Sequence, residues 1–250
     1  LGISSGASLG VAFVLLGFSS VLGLETGGIL ANWIIVFAAW GGAGVILLLI
    51  FAVSLRVRDI MTILILGILF GSVSSAIVSI MQYFSNEVLL KSFLVWSMGS
   101  LGNVSSSHLA VLLPSVGFGL VLSLLTVKML NLMLLGENYA RSMGLNVNFA
   151  RFLIFFSTSI LAGSITAFCG PIWFIGIAVP HICRMIFKTS DQRILLFASM
   201  LVGAVLMLTA DLLSQIPGNG IVLPVNTVTA LLGIPVILWI IFKNQRIASI

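Results

Sequence analysis

The chain has 250 residues, of which 60% are hydrophobic and only 7% charged, and its mean hydropathy is +1.28. Soluble domains carry roughly a quarter charged residues, so water is excluded as the main solvent of this protein. The net charge of +5 and the pI near 9.8 do not point to nucleic acid, because the basic residues stand singly or in small groups between apolar runs, which is a membrane-topology pattern.

A span needs about 20 mostly apolar residues to cross a bilayer. Reading apolar runs against their polar interruptions predicts about eight spans in a single transmembrane domain, residues 1–250. The expected fold class is therefore all-α, a polytopic transmembrane helical bundle. The first span covers Ala7 to Gly23. Before it, Gly2-Ile3-Ser4-Ser5-Gly6 matches the G-x-S-x-G pattern of hydrolases, and His181 and Asp211 would complete a nucleophile, base and acid on paper. That elbow requires a preceding strand, whereas these serines precede an apolar helix whose first turn they can cap. Gly6 and Gly10 carry a small-residue spacing suited to helix packing. The chain starts without Met and without the charged segment of a signal peptide, so its N-terminus reads as truncated.

The second span covers Ala31 to Val53 and the third Ile60 to Tyr83. Gly67, Gly71, Ser75 and Ser79 recur at intervals of four along the third, leaving a smooth strip on one helix face. That strip either packs against another helix or borders a translocation route. Between the third and fourth spans, Phe93 to Met98 is too short to cross and is closed by Gly99, Gly102 and Asn103, which predicts a short helix lying at one surface. The fourth span covers Leu109 to Leu130.

A long polar stretch follows, about 131–150. Glu137 and Arg141 stand at i and i+4 on a predicted short helix that Gly144 ends. A solvated surface helix accounts for those charges, and a soluble motor would need such a helix to grip. The fifth span covers Phe152 to Cys169, and a tight turn at Gly170-Pro171 leads to the sixth, Ile172 to Phe187. Pro180 within it removes a backbone donor and predicts a break or kink near Ala178. His181 then either bridges the freed backbone or contacts substrate or a partner. Arg184 and Lys188 lie one turn apart at the end of this span. The seventh span covers Ile194 to Leu213 and the eighth Val225 to Phe242.

Lys and Arg in short loops resist translocation. With the first span entering from the cytoplasm, Arg56, Arg58, Lys128, Arg141, Arg151, Arg184, Lys188, Arg193, Lys243 and Arg246 fall inside, and only Lys91 falls outside. Cys169 and Cys183 lie in apolar surroundings without metal-ligand spacing, so neither a disulfide nor a metal site is expected. No phosphate-binding G-x-x-x-x-G-K-[ST] loop occurs, so any ATP hydrolysis belongs to another chain and this one is not expected to be an enzyme. Ion-coupled carriers need ionisable groups within the membrane. The one acid inside a span, Asp211, lies about 25 Å along the seventh span, near the outer interface. An ion-coupled secondary transporter is therefore the alternative reading rather than the first.

Leu1-Gly2-Ile3-Ser4-Ser5-Gly6-Ala7, Leu135-Gly136-Glu137-Asn138-Tyr139-Ala140-Arg141-Ser142-Met143-Gly144, and Phe174-Ile175-Gly176-Ile177-Ala178-Val179-Pro180-His181-Ile182-Cys183-Arg184 occur in that order. Ala210-Asp211, Leu223-Pro224-Val225 and Thr229-Ala230-Leu231-Leu232-Gly233-Ile234-Pro235 follow. In order and spacing these resemble the motifs of the FecCD family of permeases, over nearly the whole chain. The resemblance implies an expected ten spans, with about two lying before Leu1. It implies a permease that works with a second permease copy, two ATP-binding-cassette ATPase subunits and an extracytoplasmic substrate-binding protein. Such a system lies in the lipid of the bacterial cytoplasmic (inner) membrane and imports iron-siderophores, haem or cobalamin. No cofactor is implied in this chain, since ATP and magnesium would be bound by the partner ATPase.

By the same resemblance, Gly136, Glu137, Ala140, Arg141 and Gly144 belong to the coupling region that docks on the ATPase. The third span and Val88 to Gly102 correspond to gate-forming elements, which marks Gly67, Gly71, Ser75, Ser79, Trp96 and Gly99 as pathway candidates. Ser4, Ser5, Gly6, Gly176, Pro180, His181, Arg184, Asp211 and Pro224 are structural motif positions. The chain departs from the family at Val222, where an acid is common, and at Gln215, near which an arginine is frequent. Glu25, Glu87 and Lys91 are the remaining external charges, and solvation accounts for each.

Overall fold

In hydrocarbon a backbone has to satisfy its own hydrogen bonds, and a helix does so within one segment. All regular structure among the described residues is helical. The structure, a computed structural model, describes residues 2–17, 28–54, 60–102, 104–216 and 222–248, with the backbone alone at 60 and 237–248. In chain order the helices are α1 (Ile3–Ala12), continued as a π-helical segment over Phe13–Gly17, α2 (Ile29–Ser54), α3 (Ile60–Tyr83), α4 (Glu87–Ser97) and α5 (Ser106–Met133). There follow α6 (Glu137–Ser142), α7 (Val147–Cys169), α8 (Ile175–Phe187), α9 (Gln192–Ser214) and α10 (Val225–Ala248).

Five helices, α2, α3, α5, α7 and α9, are long and apolar enough to cross a membrane. Three shorter apolar helices, Ile3–Gly17, Ile175–Phe187 and Val225–Val236, occupy the places of the remaining expected spans. The short surface helix expected after the third span is α4, and the one expected in the polar stretch is α6. Parts of the first span, Glu25, Arg56, Arg58 and Asn103 lie outside the described residues.

Three local expectations are corrected. Ser4 and Ser5 do not cap α1: the helix starts at Ile3 behind Gly2 with no side-chain cap, and Ser8 Oγ donates to the Ser4 carbonyl inside the helix. Both serines lie inside α1 rather than on a strand-to-helix turn, so the hydrolase elbow is not built. The sixth span starts later than expected, because Pro171 to Trp173 are non-helical and Phe174 has a φ of 67° before α8 begins. Finally, α8 is continuous across Pro180, so of the break or kink expected there the break is not formed.

The chain divides into two compact units. In the first, which holds α1 to α7, packing depends on small residues, as expected where lipid competes equally for apolar side chains. A Cβ on Gly6 would lie 2.6 Å from the Gly42 carbonyl oxygen, and one on Gly10 would overlap the Ala38 carbonyl, so α1 crosses α2 at backbone contact. Trp40 of α2 lies over Gly163 of α7, where an added Cβ would meet its ring at 2.8 Å. Its indole N–H donates to Ser164 Oγ at 2.9 Å and to the Ile160 carbonyl at 3.2 Å. Leu161 and Ile160 of α7 fill the place of a side chain at Gly119 of α5. His108 stacks on Phe168 at the other end of the same helix pair.

The second unit holds the segment Met98–Leu101 and residues 172–250. The first free N–H groups of α10 need acceptors from outside the helix. Val225 and Asn226 donate to the carbonyls of Gly99 and Met98, both at 3.3 Å. Phe174 packs on Gly233, whose added Cβ would lie 2.7 Å from the Phe174 Cβ. The Leu223 N–H donates to the Ser214 carbonyl at 2.8 Å, joining the end of α9 to the approach of α10.

Candidate functional site

The polar connection between α5 and α7 is an ordered loop built around α6. Gly136, with a φ of 97°, turns the chain into the helix at Glu137. The exit is a left-handed cap at Gly144, whose φ is 85°. The Leu145 N–H donates to the Ala140 carbonyl and the Gly144 N–H to the Arg141 carbonyl, both at 3.0 Å, which is the paired arrangement of a Schellman motif. Asn146 then caps α7 by accepting from the Phe149 N–H at 3.1 Å. Each of these residue types has a specific reason to stand where it does. Left-handed backbone favours glycine, and a short polar acceptor closes the next helix.

Ala140 is fully buried and anchors α6 against the bundle. Leu135, Tyr139 and Met143 are each at least half exposed around it, and Arg141 is exposed as well. Around one buried alanine, α6 thus presents an apolar outer rim.

Glu137 and Arg141, although at i and i+4, do not pair with each other. Glu137 instead pairs with Arg151 of α7, whose other guanidinium nitrogen donates to the Ser54 carbonyl at the end of α2 at 3.0 Å. The Arg151 side chain is 13% exposed and that of Glu137 33%. Electrostatics explain the choice. Glu137 sits in the positive first turn of α6, Ser54 at the negative end of α2, and the cation between them faces both. The sequence does hold a signal for Arg151: a cation in the early turns of α7 opposes that helix's dipole and requires a nearby anion or carbonyl.

The pathway candidates separate into groups. Gly67 and Gly71 are buried under α1: a Cβ on Gly71 would lie 3.3 Å from the Gly2 Cα and 3.4 Å from Ser5 Oγ. Ser75 and Ser79 are exposed, their hydroxyls donating to the Gly71 and Ser75 carbonyls at 3.0 Å. One half of the strip is thus in helix contact and the other half faces outward. Trp96 is held by its indole N–H, which donates to the Ala167 carbonyl at 3.1 Å, and it packs on the buried Phe93. Gly99 is buried, with a φ of 78°, and supplies the carbonyl that receives α10. A pocket among Ile3, Leu47, Ile50, Ile63, Leu64, Gly67 and Phe155 is lined by apolar groups and offers nothing to hold a charged chelate.

The motif residues of the second unit are spread out. His181 is exposed and its ring makes no hydrogen bond among the described residues, so of its two readings the backbone bridge is not formed. Arg184 is exposed, and its carbonyl accepts from Lys188, which ends α8 with a φ of 49°. Gly176 has open space where a Cβ would be. Asp211 lies in the last turn of α9 and accepts from Gln215 Nε2 at 2.9 Å. Pro224 gives its carbonyl to the Thr227 and Val228 N–H groups in the first turn of α10. Ser4 lies on α1, His181 on α8 and Asp211 in the last turn of α9. Among the described residues no group of three His, Cys, Asp or Glu side chains could hold a metal ion.

Comparison with known proteins matches the FecCD transport family over residues 1–243. A vitamin B12 import system permease protein of Salmonella paratyphi A is 35% identical over 249 residues, covering 98% of this chain and 72% of the relative. A hemin transport system permease protein of Yersinia pestis is 35% identical over 247 residues, with the same shares covered. Among solved structures, a metal-chelate type ABC transporter in an inward-facing conformation superposes with a TM-score of 0.77 at 27% identity, covering 97% of this chain and 74% of that one.

Proposed function

The chain belongs to the FecCD transport family, and from that membership we propose that it is the permease subunit of an ATP-binding-cassette importer, forming with a second copy the route for cobalamin, haem or an iron-siderophore across the bacterial cytoplasmic membrane. Two ATPase subunits bind ATP and magnesium on the cytoplasmic side, and an extracytoplasmic protein delivers the substrate. The observation that carries this reading is the α6 loop. A buried Ala140, glycines at both ends in left-handed backbone and an exposed rim of Leu135, Tyr139 and Met143 make a rigid knob suited to a groove in a partner. ATP closure of the motor displaces α6, and the helices lining the dimer axis, α3 with α4, change which side is open. The exposed Ser75 and Ser79 face the route, and the weak chemistry of such a surface lets a large chelate pass without being held. Affinity then resides in the delivery protein.

The test is copurification. The permease is extracted in mild detergent and the bound proteins are identified by mass spectrometry, for wild type and for a Glu137/Arg141 double alanine variant. An ATPase subunit recovered with wild type and lost with the variant supports both the class and the docking site. No ATPase with wild type contradicts the importer reading.

A further inference from the structure

The described side chains of α3 are buried only at Gly67, Gly71 and Ser74, so this helix is held to the first unit at few points. Gly67 and Gly71 meet Gly2 and Ser5 of α1. In turn α1 is locked to α2 at Gly6, Gly10 and Gly42, where the two backbones touch. The far end of α2, Ser54, is 1% exposed and receives the Arg151 guanidinium, which also holds Glu137 of α6. A continuous series of rigid contacts therefore runs from α6 to α3. Within it, the Arg151 contacts are the only ones made by side-chain charge rather than by close-packed backbone.

We propose that Arg151 is a positioning residue for transport: it ties the coupling helix α6 to the end of α2, so that displacement of α6 is passed through the α2–α1 glycine crossing to α3. This rests on the reading of α6 as the motor-docking element. Chain connection alone moves α6 with α5 and α7. The salt bridge and the Ser54 bond add α2, and α2 leads to the pathway helix. Close-packed elements transmit small displacements because they repack in discrete steps rather than deform.

The experiment uses the assembled complex in proteoliposomes with a reporter thiol, Ser79→Cys, on the exposed part of α3; the native Cys169 and Cys183 are buried. Labelling by a membrane-impermeant thiol reagent is measured with and without ATP, in the parent and in Arg151→Gln and Arg151→Met, which keep most of the length of the side chain and remove its charge. The expected result is an ATP-dependent labelling rate in the parent that is lost in both variants, while ATPase binding and ATP hydrolysis persist. ATP-dependent labelling that survives in either variant overturns the proposal. Failure of both variants to assemble also overturns it, since Arg151 would then serve folding alone. Absence of ATPase from the parent complex is a separate outcome, which removes the docking reading and the strut with it.

Discussion

Trp40 and Ser164 lie 124 residues apart and are joined by a 2.9 Å hydrogen bond from the indole N–H to a fully buried hydroxyl. The bond fixes α2 against α7 at the point where Gly163 leaves room for the ring. Trp40→Phe keeps most of the packing and removes the donor, and it should cost about 1 kcal/mol. Trp40→Ala also opens a cavity and should cost about 3–5 kcal/mol. Thermal unfolding of the detergent-solubilised protein measures both, and an equal effect of the two would show that the indole's volume is not what holds the helices.

The glycines divide by what surrounds them. Gly10→Ala places a Cβ onto the Ala38 carbonyl and should separate α1 from α2, with loss of folded protein. Gly117→Ala meets nothing within 4 Å, and it should raise helix stability by up to about 1 kcal/mol. Yield and melting temperature of the two variants should move in opposite directions.

Gly144 is constrained by backbone conformation and not by space, because nothing lies within 4 Å of an added Cβ while its φ is 85°. Ala and Leu should therefore be about equally harmful, each costing about 1–2 kcal/mol in the cap, and Asn should be milder. Uptake per ATP hydrolysed should fall in the order Gly, Asn, then Ala and Leu together. A graded loss with side-chain size would instead indicate direct steric contact with the motor.

Asp211 sits at the end of α9 with Gln215 as partner, and an amide oxygen can accept that bond in place of the carboxylate. Asp211→Asn should leave uptake, and its dependence on ATP, unchanged. Uptake that an ion gradient drives in the parent and that is lost in Asp211→Asn would make Asp211 a coupling-ion site.

Helix positions were legible because hydrocarbon imposes one rule on every span; the limits of α3 coincide with the apolar run from Ile60 to Tyr83. The loop around α6 was legible for a local reason, since Gly136, Gly144 and Asn146 each act on backbone within a few residues. Contacts between distant segments were not. Helical spacing offered Arg141 as the partner of Glu137, but the ends of α2 and α6 place a carbonyl and a carboxylate around Arg151, which can satisfy both. The same holds for Gly42, whose role depends on α1 lying across it, and for Trp96, whose indole bond to the Ala167 carbonyl joins two distant segments. The late start of α8 comes from Pro171 and the positive φ of Phe174, a local conformation that an apolar run does not reveal.

The most direct test of the account is uptake of labelled cobalamin, haem and a ferric siderophore into proteoliposomes containing the permease, its ATPase and its binding protein. The account predicts that one of the three accumulates only with ATP hydrolysis and is unaffected when ionophores collapse the ion gradients. Accumulation that follows an ion gradient without ATP would contradict it.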